Sequence, residues 1–169
     1  MRISFGRRSS AVAATLLMLG LASAIGSAQP QPGRAGQART YRTRLSPVPL
    51  DAAMMATIAG SGTVTATLVG TRLTLTGAFE GLRSPATVAR LHRAQKGVRG
   101  PAIFDLVVAN TAGPGGPASS TSGAVSGALD LTPTQVDDLG RERFYVQLHS
   151  EKAPEGNLWG WLQLQENKR

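Results

Sequence analysis

The chain has 169 residues, with 18 Lys and Arg against 10 Asp and Glu, two histidines and no cysteine. The absence of cysteine excludes a disulfide framework, a thiolate nucleophile, a cysteine-ligated metal and a lipoprotein anchor. The charge of +8 is uneven: residues 1–28 carry three Arg, residues 29–50 add Arg34, Arg39, Arg42 and Arg44, and neither stretch has an acid. From Asp51 onward there are 11 basic and 10 acidic residues, a balance of +1. That balance argues against nucleic acid as a partner, since a nucleic-acid-binding domain shows its basic stripe on a folded surface.

Arg2, Arg7 and Arg8 precede an uncharged, Ala- and Leu-rich stretch from Ala11 to Ile25, and small residues follow it. This is the pattern of a secretory signal peptide over residues 1–28, with cleavage expected after Ala28 and, as the alternative, after Ala24. The apolar run is about 15 residues, short of the roughly 20 needed to span a bilayer, so no stable membrane span is expected after cleavage. Arg7-Arg8 also fits twin-arginine export, but the Ser9-Ser10-Ala11 that follows is weakly apolar. The expected location is secreted or periplasmic.

Residues 29–50 mix Pro, Gly, Gln and Arg without apolar periodicity and are expected to form a disordered basic linker, either a solvated tether or a segment drawn to an anionic envelope surface. The domain is expected over residues 51–169, as short runs of period-two alternation separated by Gly and Pro. Ala52–Ile58 is the first expected strand. Val64, Ala66 and Leu68 alternate with threonines, Gly70 marks a turn, and Leu73, Leu75 and Phe79 resume the alternation, which predicts a hairpin. Thr87–Arg93, Ala102–Ala109 and Ala124–Leu131 are further strands, and Asn110–Gly123 is a low-complexity loop.

Thr132-Pro133-Thr134-Gln135 predicts one helical turn: Thr132 as N-cap, Pro133 at the first position, Gln135 closing a capping box, Val136 and Leu139 toward the core, and Gly140 at the end. Asp137, Asp138 and Glu142 read as a solvated acidic face. Arg143–His149 and Asn157–Gln165 are the last strands, expected to be antiparallel neighbours across a seven-residue connection from Ser150 to Gly156. The expected fold is therefore all-β: a two-sheet antiparallel, Greek-key-like β-sandwich of about eight strands with one short helix.

Three elements carry a family resemblance. Leu91-His92 runs into Gly97 and Gly100-Pro101; Leu131-Thr132 is followed by Gln135; and Tyr145-Val146 is followed by His149. In this order the domain resembles the chordin-type family, CHRD, found in chordin and as single domains in exported bacterial proteins, over most of residues 51–166. Arg90 stands where that family usually has a first histidine, Ser150 where threonine is usual, and Asn157 and Trp159 where glutamate and arginine are usual. The resemblance implies a secreted binding module and assigns no catalytic residue.

Successive side chains of a strand point to opposite faces. Arg90 and His92 therefore share a face, as do Tyr145, Gln147 and His149 on the next-to-last strand and Trp159 and Trp161 on the last. These seven residues are the candidate ligand-binding surface for an extracellular or envelope protein or glycan, because aromatic planes supply contact area and Gln, His and Arg supply directional hydrogen bonds. The competing reading packs the tryptophans beneath the linker or a second sheet. His92 and His149, with Asp105 or Glu151 as carboxylate help, form the alternative: a Cu or Zn site or a small-molecule-processing centre. Two histidines without cysteine make a sparse ligand set, and no cofactor is expected. No Gly-x-Ser-x-Gly elbow appears, and Asp105 is expected to pair with Arg90, so a non-enzymatic role is the leading expectation.

Overall fold

The structure, a computed structural model, describes residues 37–49, 51–112 and 120–166. The expected signal peptide, the first part of the expected linker and the centre of the low-complexity loop lie outside these residues. The strands are β1 (Arg39–Pro47), β2 (Ser61–Val69), β3 (Arg72–Glu80), β4 (Ala86–Arg93), β5 (Ala102–Asn110), β6 (Gly123–Asp130), β7 (Phe144–Ser150), β8 (Ala153–Trp161) and β9 (Gln163–Leu164). One helix, α1 (Pro133–Gly140), and one 3₁₀ turn, Met54–Ala56, complete the elements.

The expectation of an all-β antiparallel fold with one short helix holds, but the two-sheet sandwich does not. The strands follow the order β2-β3-β6-β5-β4-β7-β8-β1, and β1 pairs back to β2, so eight strands close into a barrel. β3 lies beside β6 while β4, β5 and β6 run consecutively, which is a Greek key. Two strands turn the corners. β5 pairs with β4 through its first half and with β6 through its second. β1 pairs along Arg39–Leu45 with β2 on one side, and on the other with β9 at Tyr41 and Arg42 and with β8 at Ser46 and Pro47. The β8 and β9 pairings keep one register, so β9 continues β8 past an interruption.

Closure depends on β1, which occupies part of the segment expected to be a disordered linker. Its sequence alternates Tyr41, Thr43 and Leu45, all buried, with exposed Arg42, Arg44 and Ser46. The arginines give the segment a polar composition, but the period-two pattern suffices once β2 and β8 supply hydrogen-bonding edges. Residues 39–169 carry 14 basic and 10 acidic residues, a balance of +4 in place of +1.

The barrel is filled by side chains, as an eight-stranded barrel must be. Every strand from β1 to β8 contributes, among them Tyr41 and Leu45, Val64 and Leu68, Leu73 and Leu75, Leu91, Leu106, Val125, Val146 and Leu148, and Leu158. Each large aliphatic side chain removed from water adds about 1.5–3 kcal/mol. Gly160 faces inward at the β1–β8 seam, where a Cβ would meet Thr43 Oγ1 at 2.4 Å and the Arg44 carbonyl oxygen at 2.5 Å. The close approach of β1 to β8 therefore requires glycine there.

Local signals explain the connections. Gly70, at φ 61°, takes the first position of the two-residue β2–β3 turn, as a type II′ hairpin requires. In α1, Thr132 Oγ1 accepts from Gln135 N–H and Gln135 Oε1 accepts from Thr132 N–H, the complete capping box, and Leu139 is fully buried. The left-handed residue after the helix is Glu142, at φ 56°, two positions past Gly140.

Three further expectations are corrected. Ala52–Ile58 is a turn: Asp51 Oδ1 accepts from Met54 N–H, and the Met54 carbonyl accepts from Thr57 and Ile58 N–H. Its apolar residues that pack, Met54 and Ile58, are four apart, a helical spacing that places both against Val48, Ala153 and Trp159. The acidic face of α1 is not wholly solvated, because Asp138 is buried and its carboxylate pairs with Arg93 at 2.8 Å and Arg143 at 3.3 Å. The seven-residue connection from Ser150 to Gly156 is a two-residue turn, Glu151-Lys152, after which the chain re-enters the sheet at Ala153, and β8 bulges opposite the Leu148–Ser150 stretch of β7.

Candidate functional site

The outward side chains of β4, β7 and β8 converge as alternation predicts. His92 lies opposite Tyr145 and Arg90 opposite Gln147; Tyr145 lies opposite Trp161 and Gln147 opposite Trp159. The rings form one cluster: His92 stacks on Tyr145 at 4.8 Å, Tyr145 meets Trp161 at 4.8 Å, and Trp161 meets Trp159 edge-on at 4.7 Å. β7 is buried along its whole length, so its outward face is covered as well as its inward one.

Two segments supply that cover. In the β4–β5 loop, Gly100 N–H donates to Tyr145 Oη, Tyr145 O–H donates to the Gly100 carbonyl, and His92 Nδ1 lies 2.9 Å from the same carbonyl. In the β8 bulge, Gln147 Nε2 donates to the Glu155 carbonyl at 2.8 Å, and His149 Nδ1 lies 2.7 Å from the Pro154 carbonyl. Gly156 makes this bulge feasible. Its φ is 128°, and a Cβ would stand 2.0 Å from Gln147 Nε2.

A carbonyl only accepts, so Nδ1 of each imidazole carries a proton. Both Nε2 atoms are buried without a hydrogen-bond partner among the described residues, as is Trp161 Nε1. Burial pushes the His92 pKa below the ordinary histidine value; the bond to Gly100 opposes this, and the charges of His149 and Arg90 reinforce it. Asp105 does not join the two imidazoles. It is 79% exposed and held by Arg90 Nε at 3.0 Å across the β4–β5 pair. Among the described residues, no three His, Cys, Asp or Glu side chains gather as a metal-ligand group.

Of the seven residues expected at the surface, His92, Tyr145, Gln147, His149 and Trp161 are each no more than 9% exposed. Arg90 is half-exposed but lies on the Asp105 side. Trp159 is the partly open edge of the cluster. It packs against the cluster of Val48, Ile58 and Ala153 beside the end of β1.

One cleft opens at that edge, and two others share Arg44 with it. One of about 250 Å³ is lined by Thr43, Arg44, Ser46, Lys96, Trp159 and Trp161, with Gly160 and Gln163. A second, of about 350 Å³, is lined by Arg42, Thr43, Arg44, Thr63, Gln163 and Gln165. A third, of about 470 Å³, extends from Arg44 over Gly62 and Thr63 to Phe79 and Glu80. Arg42, Arg44, Lys96 and Gln163 were not among the residues expected at the site. Their signal was the alternation of Arg42 and Arg44 with Tyr41, Thr43 and Leu45, which marks a strand with a basic outer face.

The CHRD domain family matches residues 45–162, from inside β1 to the residue after β8. The chain belongs to the CHRD domain family. The matched span covers the barrel from the C-terminal part of β1 to β8, and with it His92, Tyr145, His149 and both tryptophans. CHRD domains occur in extracellular and secreted proteins. Comparison with curated proteins and with solved structures gives no match. No helix among the described residues is long and apolar enough to cross a membrane.

Proposed function

We propose that this CHRD domain is an exported, non-enzymatic binding module that holds an extracellular or envelope glycan or protein at the open edge of its aromatic cluster. The observation that carries this reading is the contrast within one face. His92, Tyr145, Gln147 and His149 are engaged by backbone groups of the covering loop and bulge, whereas Trp159 lines a cleft together with the hydroxyl, amide and cationic side chains of Thr43, Ser46, Gln163, Arg44 and Lys96. A ring edge beside such groups is suited to a ligand with both apolar and polar surfaces. The engaged residues serve instead to fix the loop and bulge that shape the cleft. Membership in a family of extracellular domains supports the exported location.

The test compares wild type and Trp159→Ala for saturable binding to immobilised polysaccharides and to solubilised envelope proteins, with Trp159→Phe as a variant that keeps the base of the ring packed. The expected result is binding that Trp159→Ala abolishes and Trp159→Phe largely retains, while both variants unfold cooperatively. Binding that survives Trp159→Ala unchanged would overturn the proposal.

A further inference from the structure

We infer that the groove crossing β8, β1 and β2 takes an acidic polysaccharide, with its carboxylates on Arg42, Arg44 and Lys96 and its sugar rings against the open edge of Trp159. The inference rests on the binding reading above and names the ligand class of that site.

The register builds the groove. Ser46 lies opposite Trp159 and Arg42 opposite Gln163, so the same register carried between them sets Arg44 opposite Trp161. On the other side Arg42 lies opposite Thr65 and Arg44 opposite Thr63. Arg42 and Arg44 are alternate residues on one face, roughly 7 Å apart along the strand; they share one cleft, and Lys96 from the β4–β5 loop shares the adjoining one with Arg44. All three clefts include Arg44. From β8 across β1 and β2 to β3 the surface spans three inter-strand steps, roughly 14 Å, enough for an extended chain of sugars and more than a single ring needs.

Charge selects an acidic ligand. Asp105, Asp130 and Asp138 are already paired, with Arg90, Arg72, and Arg93 and Arg143 respectively. Among the described residues, Arg42, Arg44 and Lys96 form no ion pair, and Glu80, at the β3 end, is the one carboxylate lining the clefts. A guanidinium presents paired N–H donors that match a carboxylate, and two of them on one strand face suit a repeating anion. The neighbouring groups are hydroxyls and amides, Thr43, Ser46, Gln163 and Gln165, which match sugar hydroxyls. Trp161 lines the groove, is only 8% exposed, and has an indole N–H without a partner among the described residues. The cationic groove sits on a barrel whose acids and bases nearly balance elsewhere, so it lacks the broad positive field of a phosphate-backbone binder.

The test uses the signal-cleaved protein with three polymers: polygalacturonate, its fully methyl-esterified counterpart, which keeps the backbone and removes the charge, and duplex DNA. Polygalacturonate is expected to bind, with affinity falling roughly 20- to 40-fold between about 50 and about 200 mM salt, as about three ion contacts imply. The ester is expected to bind at least tenfold more weakly, as is the Arg42→Gln/Arg44→Gln variant with polygalacturonate. Arg42→Lys/Arg44→Lys should recover part of that loss. An ester bound as well as the acid, or a glutamine variant that binds like wild type, would overturn the inference. So would DNA bound as tightly as polygalacturonate, which would reveal an undiscriminating polyanion patch. If neither polysaccharide binds and an envelope protein does so through Trp159, the inference fails while the binding reading stands.

Discussion

Gly160→Ala tests the seam that closes the barrel. The added methyl would enter space already held by Thr43 Oγ1 at 2.4 Å and the Arg44 carbonyl oxygen at 2.5 Å, with the Arg44 carbonyl carbon at 3.2 Å. Two of these contacts are backbone atoms of a strand fixed by β2 on its other side, so rotamer change does not relieve them. Overpacking of this kind costs about 1–3 kcal/mol, and for a domain of this size each kcal/mol moves Tm by about 4 °C, giving an expected drop of roughly 4–12 °C. Gly140→Ala is the control: its Cβ would meet nothing closer than Arg39 Nη1 at 3.7 Å, in ordinary contact. As the last residue of α1 it should leave Tm unchanged or raise it slightly. Thermal unfolding of the protein, followed by circular dichroism, reads both. A Gly160→Ala protein that melts with wild type would show that β1 does not lie against β8.

Other perturbations probe the parts that frame the site. Gly156→Ala should cost about 1–3 kcal/mol in denaturant unfolding, because its φ of 128° strains any side chain and its Cβ displaces Gln147; tryptophan fluorescence should shift as the bulge moves off the cluster. Thr132→Ala removes the acceptor for Gln135 N–H and should lower stability by about 1 kcal/mol in the same assay; no change would mean that α1 is not anchored by its cap. His92 gives a pH signature. Its folded pKa lies below the ordinary value of about 6.5, so the unfolded chain binds the proton first, and the stability gained from the neutral ring is complete above that value and lost as pH falls through the folded one. Tm of His92→Gln should therefore fall less steeply than wild type below about pH 6.5; parallel slopes would show that His92 does not contribute.

What the sequence revealed divides along physical lines. The β2–β3 hairpin was legible because Val64, Ala66, Leu68, Leu73 and Leu75 alternate cleanly around Gly70, and α1 because Thr132, Pro133 and Gln135 specify a start by local hydrogen bonding. The sorting of Tyr145, Gln147 and His149 from Val146 and Leu148 was equally local. Closure was not legible, since alternation is the same whether a sheet stacks on another or curls onto itself, and the closing strand alternates its apolar residues with arginines. Nor could alternation show that the outward face of β7 is covered: that depends on Gly100 and on the carbonyls of Pro154 and Glu155, which reach it from a loop and a bulge. For this reason the four rings among the expected residues, His92, Tyr145, Trp159 and Trp161, form one cluster, yet its open edge is Trp159, with Arg44 and Lys96 in the cleft beside it.

The placement of Arg42 and Arg44 on a barrel strand underlies both the fold and the site. Amide hydrogen exchange of residues 39–47 tests it most directly. Tyr41–Leu45, paired to β2 and flanked by β8 and β9, should exchange as slowly as β2 itself, with protection near the global stability. Exchange of these amides at the rate of an unstructured peptide, while β2 and β7 stay protected, would contradict the closed barrel and remove the groove with it.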